Sequence, residues 1–283
     1  MTKHIYLLGH PIKHSRSAML HTTFFRYLGI DADYTPIDTT NINETLCNLR
    51  AEGPLGFFGA NVTMPWKKAV ARHVSTLSPM SIASGSVNTL YWDGNKLCGD
   101  TTDAIGFLRG LGKFFTVGDK NIVIIGSGGL ASCLAIAMAQ LGNVLITGRN
   151  EQSCKALVSK VNVIYKHRIP ASYIALDKFT YEASEKQDII INATPCGMTL
   201  PGLNDMPIPE DAIHPNQIIC ECIYNPVETK LVSYAKSIGC TVLYGYEMFI
   251  YQAIESLNKW FPDVMKNTDT DCLYRVARNT LNV

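Results

Sequence analysis

The stretch "NIVIIGSGGLAS", residues 121–132, decides the fold. Ile122, Val123, Ile124 and Ile125 follow one another without a polar break, the pattern of a short strand covered on both faces. Gly126-x-Gly128-x-x-Ala131 then leads into the apolar helix pattern "GLASCLAIAMAQLG" at 129–142. The first glycine permits a tight turn, and the second lets a pyrophosphate approach the backbone. The small third residue lets the helix pack close to the strand. The helix start adds free N–H groups and a positive dipole end for phosphates. Alone, the pattern also suits a glycine-rich turn in some other α/β protein. Between a buried strand and a helix it reads as a dinucleotide-binding βα turn.

The next strand, "NVLITG" at 143–148, is where a dinucleotide's adenosine ribose arrives, and a carboxylate at its tip marks NAD. Here the tip reads Gly148, Arg149, Asn150, with Glu151 following. Arg149 can pair with a 2′-phosphate and stack on adenine, so the reading is NADP. The plain alternative is a solvated arginine.

Outward from this point the chain alternates between strand-like and helix-like segments. Toward the N-terminus, strands are expected at 4–9, 32–38 and 55–62, and helices at 19–29, 43–53 and from Pro65. Residues 87–102 read as a hairpin around Asp93-Gly94, and 103–115 as a helix weakened by its glycines. Toward the C-terminus, strands fall at 187–194, 216–224 and 241–245, and helices at 151–161, 227–239, 247–261 and 270–281. Apolar strands separated by helices imply a parallel sheet covered on both faces, an α/β architecture. The 283 residues suit two domains. The joint is expected in the helix at 103–115, with the last helices packing back on the first domain.

Composition narrows the function. With 25 basic and 24 acidic residues the net charge is +1, which gives no electrostatic reason to expect nucleic acid or an anionic membrane. Nine cysteines without a CxxC pair fit neither a disulfide framework nor a zinc site, and suggest a reducing cytoplasm. Cys220 and Cys222 could form a metal pair on one strand face, but buried small hydrophobes are the expectation, so no metal is assigned. The apolar run before Gly9 is too short for a signal peptide or a membrane span.

Outside the dinucleotide half, polar residues gather at strand ends and helix starts: Ser15 and Ser17; Asn61, Thr63 and Lys67; Asn88 and Thr89; Thr102 and Asp103. Strand ends of an open α/β sheet are where ligands bind. Hydroxyls, amides, one cation and one carboxylate suit a small polyhydroxylated acid. For hydride transfer to a ketone, Lys67 can supply both a proton and a positive neighbour to the developing alkoxide, with Asp103 holding it. Each cluster also has a dull reading: a serine N-cap, or a solvated lysine pair at a helix start.

At this point the sequence resembles the shikimate dehydrogenase family over nearly its whole length. The motifs are "GHPIKHSRSAMLH", "GANVTMPWK", "SVNT", "GDTTDAIGF", "IIGSGGLAS", "INATPCGM", "IYNPVETKL" and "GYEMFIYQA", in the family's order. The resemblance implies an N-terminal α/β substrate domain (1–103, with 246–283 packed back on it) and a Rossmann-type doubly wound domain (104–245), with a cleft between them. It implies NADP-dependent reversible reduction of 3-dehydroshikimate to shikimate, a step of aromatic amino-acid and chorismate biosynthesis, in a cytoplasmic monomer or homodimer. Lys67 and Asp103 match the catalytic pair. Ser15, Ser17, Asn61, Thr63, Asn88, Tyr224 and Gln252 match positions near the substrate. Gly126, Ser127, Gly128, Gly129, Leu130, Ala131, Arg149, Asn150, Thr194 and Met248 match the cofactor side.

Departures stand at Thr101 and Ala104 beside Asp103, at Glu221 where aspartate is usual, and at the "GRN" tip. The family also includes quinate/shikimate and aminoshikimate enzymes, and a paralogue of this kind, with NAD in place of NADP, is the alternative reading. A non-catalytic dinucleotide sensor is the rival from another class. His10, His14 and His21 are expected to be structural, and Cys196 to line the nicotinamide pocket.

Overall fold

The computed structural model describes residues 1–13, 15–112, 120–166 and 170–283, so His14 lies outside the described residues. The chain forms two compact units, Met1–Gly106 with Ile250–Val283, and Phe107–Phe249.

The first unit holds β1 (Lys3–Gly9), α1 (Ser17–Leu28), β2 (Ala32–Asp38), α2 (Ile42–Ala51), α3 (Gly53–Gly56), β3 (Gly59–Val62), β4 (Thr76–Leu77), α4 (Pro79–Ser84), β5 (Thr89–Asp93) and β6 (Lys96–Asp100). α5 (Asp103–Leu111) leads out of it. The sheet order is β2-β1-β3-β5-β6-β4. β1 runs parallel to β2 and β3, whereas β5 is antiparallel to both β3 and β6. The hairpin at Gly94 thus makes this sheet mixed rather than parallel throughout. It also sets one edge: the C-terminal ends of β1, β3 and β6 and the N-terminal end of β5 lie together. Leu8, Leu46, Phe57 and Leu90 pack its core.

The second unit holds β7 (Lys120–Ile125), α6 (Gly129–Met138), β8 (Gly142–Thr147), α7 (Glu151–Ile164), β9 (Ala171–Tyr173), α8 (Tyr181–Ser184), β10 (Ile189–Asn192), β11 (Ile218–Glu221), α9 (Lys230–Ser237) and β12 (Thr241–Leu243). Its order is β12-β11-β10-β7-β8-β9, with every pairing parallel. From β7 the chain winds one way through β8 and β9, then the other through β10, β11 and β12. This is the doubly wound order, with its switch point between β7 and β10. Val123, Ile190, Ile219 and Leu231 form the core. α10 (Gly245–Trp260) carries the chain back to the first unit, followed by α11 (Pro262–Met265) and α12 (Thr270–Leu281), which packs on α1.

Two expectations are corrected. Residues 55–58 do not extend β3: Pro54 and Gly53, at φ +64°, form the helical turn of α3 instead, and the strand begins at Gly59. No α-helix follows Pro65. The Lys67 carbonyl accepts from Val87 N–H at 2.8 Å, which takes it from the i+4 ladder, and only a 3₁₀ turn forms, at Val70–His73. Among the described residues, no helix is long and apolar enough to cross a membrane.

Candidate active site

Each polar cluster of the first unit leaves the same sheet edge. The serine loop follows β1, Thr63 and Lys67 follow β3, Asn88 precedes β5, and Asp103 follows β6. The first two loops are tied together: His10 N–H donates to Met64 O at 2.9 Å and Thr63 N–H to Leu8 O at 2.9 Å. Val87 N–H and Asn88 N–H bond Lys67 O and Asp100 O at 2.8 and 3.0 Å, bringing the lysine loop, the β5 entry and the β6 exit together.

The result is a nearly dry ion pair. Lys67 Nζ lies 2.6 Å from Asp103 Oδ2, with the side chains 18% and 3% exposed. Asn88 Nδ2 donates to Asp103 Oδ1 at 2.8 Å, so both carboxylate oxygens are held. The Asn88 carbonyl oxygen accepts from Thr102 N–H at 2.8 Å and Thr89 Oγ1 at 2.9 Å. Asn88 is thus oriented by both of its ends. Gln252 Oε1 of α10 reaches Asn88 Nδ2 at 3.4 Å. That approach depends on Gly106: a Cβ there would stand 2.6 Å from Gln252 N. The glycines expected to weaken this helix include one that lets α10 come close.

Asn61 sits deeper. Its oxygen accepts from Tyr34 Oη at 2.8 Å, and its amide reaches Asn88 O, Thr89 Oγ1 and Ser256 Oγ at 3.0–3.2 Å. It supports Asn88 from beneath. Ser256 is fully buried and was not anticipated, although it lies one helical turn beyond Gln252 and bonds the Gln252 carbonyl. Ser15 Oγ donates to Ser17 Oγ at 3.1 Å and accepts from Ser17 N–H at 3.3 Å. The N-cap position of α1 is Arg16, whose side chain does not cap the helix, and Ser15 takes the first helical N–H from just before it. His21 is completely buried, and burial pushes its pKa down to about 3, so it is a neutral core residue. Cys220 is buried in β11 while Cys222 lies beyond the strand end, and no metal-ligating cluster occurs among the described residues.

In the second unit, Gly126 ends β7 with φ +122°, and a Cβ there would stand 3.1 Å from Ala193 O. Gly128 is different: a Cβ on it would meet nothing within 4 Å. It is the N-cap of α6 and caps with no side chain. The start of α6, with Gly129, Leu130 and Ala131, therefore opens onto clear space at the switch point, which is what a pyrophosphate needs. Ser127 bonds the Cys154 thiol. Arg149 is exposed at the β8 tip, and Asn150 caps α7 by accepting from Ser153 N–H at 2.8 Å. The residues present fit a dinucleotide.

Beyond β10, Thr194 Oγ1 donates to Asn192 Oδ1 at 2.7 Å and accepts from Cys196 N–H at 3.1 Å. Asn192 Nδ2 in turn donates to Glu221 at 3.0 Å. Glu221 is 1% exposed and also accepts from Ile223 N–H and Thr229 Oγ1. Burial outweighs these bonds and raises its pKa to about 7. Tyr224 stacks on Phe249 at 3.9 Å and 9°, and Met248 beside it is 7% exposed.

Comparison with known proteins agrees with this geometry. Residues 7–90 match the model of the shikimate dehydrogenase substrate-binding domain. The shikimate dehydrogenase (NADP(+)) of Pyrococcus abyssi is 32% identical over 261 residues, 91% of this chain and 93% of the relative. A crystal structure of a shikimate dehydrogenase in complex with NADP+ superposes with a TM-score of 0.88 at 29% identity, covering 99% of this chain and 96% of the other. The shikimate 5-dehydrogenase of Thermus thermophilus, in complex with NADP(H) and shikimate, gives 0.83 at 25% identity, covering 98% and 99%. With relatives this similar over nearly its full length, and with the paired lysine and aspartate and the open glycine turn in place, this chain belongs to the shikimate dehydrogenase family.

Proposed function

We propose that the chain catalyses the NADP-dependent, reversible reduction of 3-dehydroshikimate to shikimate, with Lys67 as proton donor and Asp103 as its partner. The observation that carries this reading is the 2.6 Å Lys67–Asp103 pair, with the second aspartate oxygen fixed by Asn88. A nucleotide-binding module has no use for a nearly dry ammonium held at a ligand-binding sheet edge.

When bound, NADP would supply the hydride in one direction and accept it in the other. Gly126 to Ala131 would hold its pyrophosphate, and Arg149 its 2′-phosphate. Thr194 and Met248 would face its nicotinamide end. Lys67 gives its proton to the carbonyl oxygen as that oxygen becomes an alkoxide, and its positive charge stabilises the alkoxide before transfer. In the reverse direction the neutral amine takes the proton back. Asp103 keeps the ammonium in place and offers a carboxylate to a ring hydroxyl. The hydroxyls of Ser15 and Ser17 suit the substrate carboxylate. Thr63 and Gln252 complete the substrate contacts of the first unit, and Asn61 acts through Asn88. Nine free thiols are in keeping with a reducing cytoplasm, where the enzyme works as a monomer or homodimer.

Initial rates with shikimate and quinate, each with NADP and NAD, test the reading on wild type and Lys67→Ala. Turnover of shikimate with NADP, reduced by about 10²–10⁴ in the variant with NADP affinity retained, is expected. Preference for quinate would move the substrate assignment to the paralogues. Undiminished turnover in Lys67→Ala would remove the assigned proton donor.

A further inference from the structure

The tip of β8 contains a contradiction. Arg149 favours a ribose 2′-phosphate, yet Glu151 stands two residues on. A carboxylate at this place accepts from a 2′-hydroxyl and repels a phosphate. Both line one pocket of about 650 Å³, with Tyr173, Asp177 and Asp205 among its walls. One guanidinium thus shares its pocket with three carboxylates.

The charges do not act alone. Lys155 Nζ lies 2.6 Å from Glu151 Oε1, one helical turn along α7. The same ammonium stands over the Tyr173 ring, 5.5 Å from its centroid. Lys155 is thereby held against the aromatic wall of the pocket with Glu151 as its counter-ion. The bond to Lys155 keeps Glu151 below the usual carboxylate range, so Glu151 stays charged and paired across neutral pH. Asp205 has its own lysine, Lys230, at 3.5 Å. The ammonium partners cancel much of the negative charge that surrounds Arg149.

We propose that the Glu151–Lys155 ion pair sets this chain's preference between NADP and NAD. Paired, Glu151 is drawn toward Lys155 and neutralised, and Arg149 is left to take a 2′-phosphate. Without Lys155, Glu151 is an unopposed carboxylate at the ribose, and the site favours a 2′-hydroxyl. The inference rests on the second unit being the NADP site and adds the residues that decide the choice.

The test is calorimetric binding of 2′,5′-ADP and of ADP to the full chain, which needs no substrate. The variants are Lys155→Ala, Glu151→Gln and the double substitution. Both side chains are about 60% exposed, so the core is untouched. Lys155→Ala is expected to weaken 2′,5′-ADP relative to ADP by about fivefold, the scale of one solvent-screened charge about 4 Å from a phosphate. Glu151→Gln is expected to shift the ratio the other way, and the double variant to recover at least half of the loss on a logarithmic scale. A shift below threefold in Lys155→Ala, or a double variant as impaired as Lys155→Ala, overturns the proposal. Failure to turn over shikimate would leave this result standing, and the converse holds too, so the two readings fail separately.

Discussion

Asn88 and Lys67 take opposite oxygens of one carboxylate. The amide donates to Oδ1 of Asp103 at 2.8 Å while the ammonium holds Oδ2 at 2.6 Å. With Oδ1 fixed, the carboxylate cannot rotate, and the ammonium has one position. A hydrogen bond to a charged group contributes about 1.5–3 kcal/mol. Asn88→Ala should therefore lower kcat by about ten- to a hundredfold while leaving the NADP dissociation constant unchanged. Steady-state kinetics and nucleotide titration on the same preparation check both halves.

Gly106→Ala tests the other support of this site. The added Cβ would stand 2.6 Å from Gln252 N and 2.9 Å from Gln252 Cβ, so α10 has to move away. A stability loss of about 1–3 kcal/mol is expected, typical of overpacking. Displacing Gln252 should raise KM for shikimate more than it lowers kcat. Urea unfolding and substrate saturation curves measure the two effects.

Local signals were readable in the sequence and long-range ones were not. The βα turn at 121–132 and the Asp93-Gly94 hairpin follow from neighbouring residues alone, and both formed. The polar clusters also announced themselves at strand ends. The course after Pro65 departs from its local pattern because Val87, twenty residues on, takes the Lys67 carbonyl. Ser256 carries no local signal: its partner Asn61 is 195 residues away, and a buried serine in a helix gives none of its own. Its i+4 spacing from Gln252 was the available clue. β9, three residues long, is set by pairing with β8 rather than by its own pattern.

Glu221 makes the stability fall as pH rises from mildly acidic toward neutral. Its folded pKa of about 7 stands above the ordinary 4.5, because burial disfavours the charge. Between these values the folded state binds the extra proton, so its stabilising contribution is complete below pH 4.5 and is lost as pH rises through 7. The loss is on the order of 3 kcal/mol. In Glu221→Gln that decline should vanish, which chemical denaturation at pH 5 and pH 8 will reveal. Since Glu221 reaches Thr194 through Asn192, the pH dependence of NADP affinity should flatten as well.

His21 acts in the opposite direction. Its ring stacks on Tyr34 at 4.5 Å and 11°, and burial lowers its pKa to about 3. Here the unfolded chain binds the proton first. The neutral ring's contribution is complete above pH 6.5 and is lost as pH falls toward 3, approaching about 1.4 kcal/mol per pH unit. His21→Phe keeps an aromatic ring and removes the titration. Its stability at pH 7 can drop through overpacking, but its slope between pH 6 and pH 4 should be shallower than the wild type's. An equal slope in urea titrations at those two pH values would count against a buried neutral His21.

The two glycines of the βα turn separate folding from binding. Gly126 has φ +122°, a conformation that side-chain-bearing residues rarely adopt, and its Cβ would press on Ala193 O at 3.1 Å. Gly126→Ala should destabilise the protein by about 1–3 kcal/mol, and any loss of NADP affinity would be mixed with loss of fold. Gly128 has φ −72° and open space where its Cβ would point. Gly128→Val should therefore cost only the N-cap preference for glycine over valine, about 0.5–1 kcal/mol and a few degrees of melting temperature. The cost should fall on the pyrophosphate, which must come within hydrogen-bonding distance of the α6 N–H groups. A valine standing in that space should raise the NADP dissociation constant at least about tenfold, the loss of one good charge-assisted hydrogen bond. Thermal melts with and without NADP read both terms at once: the apo midpoint falls by a few degrees at most, and the stabilisation by added nucleotide shrinks. A variant with unchanged melting and unchanged nucleotide stabilisation would mean that the phosphates do not pass over Gly128.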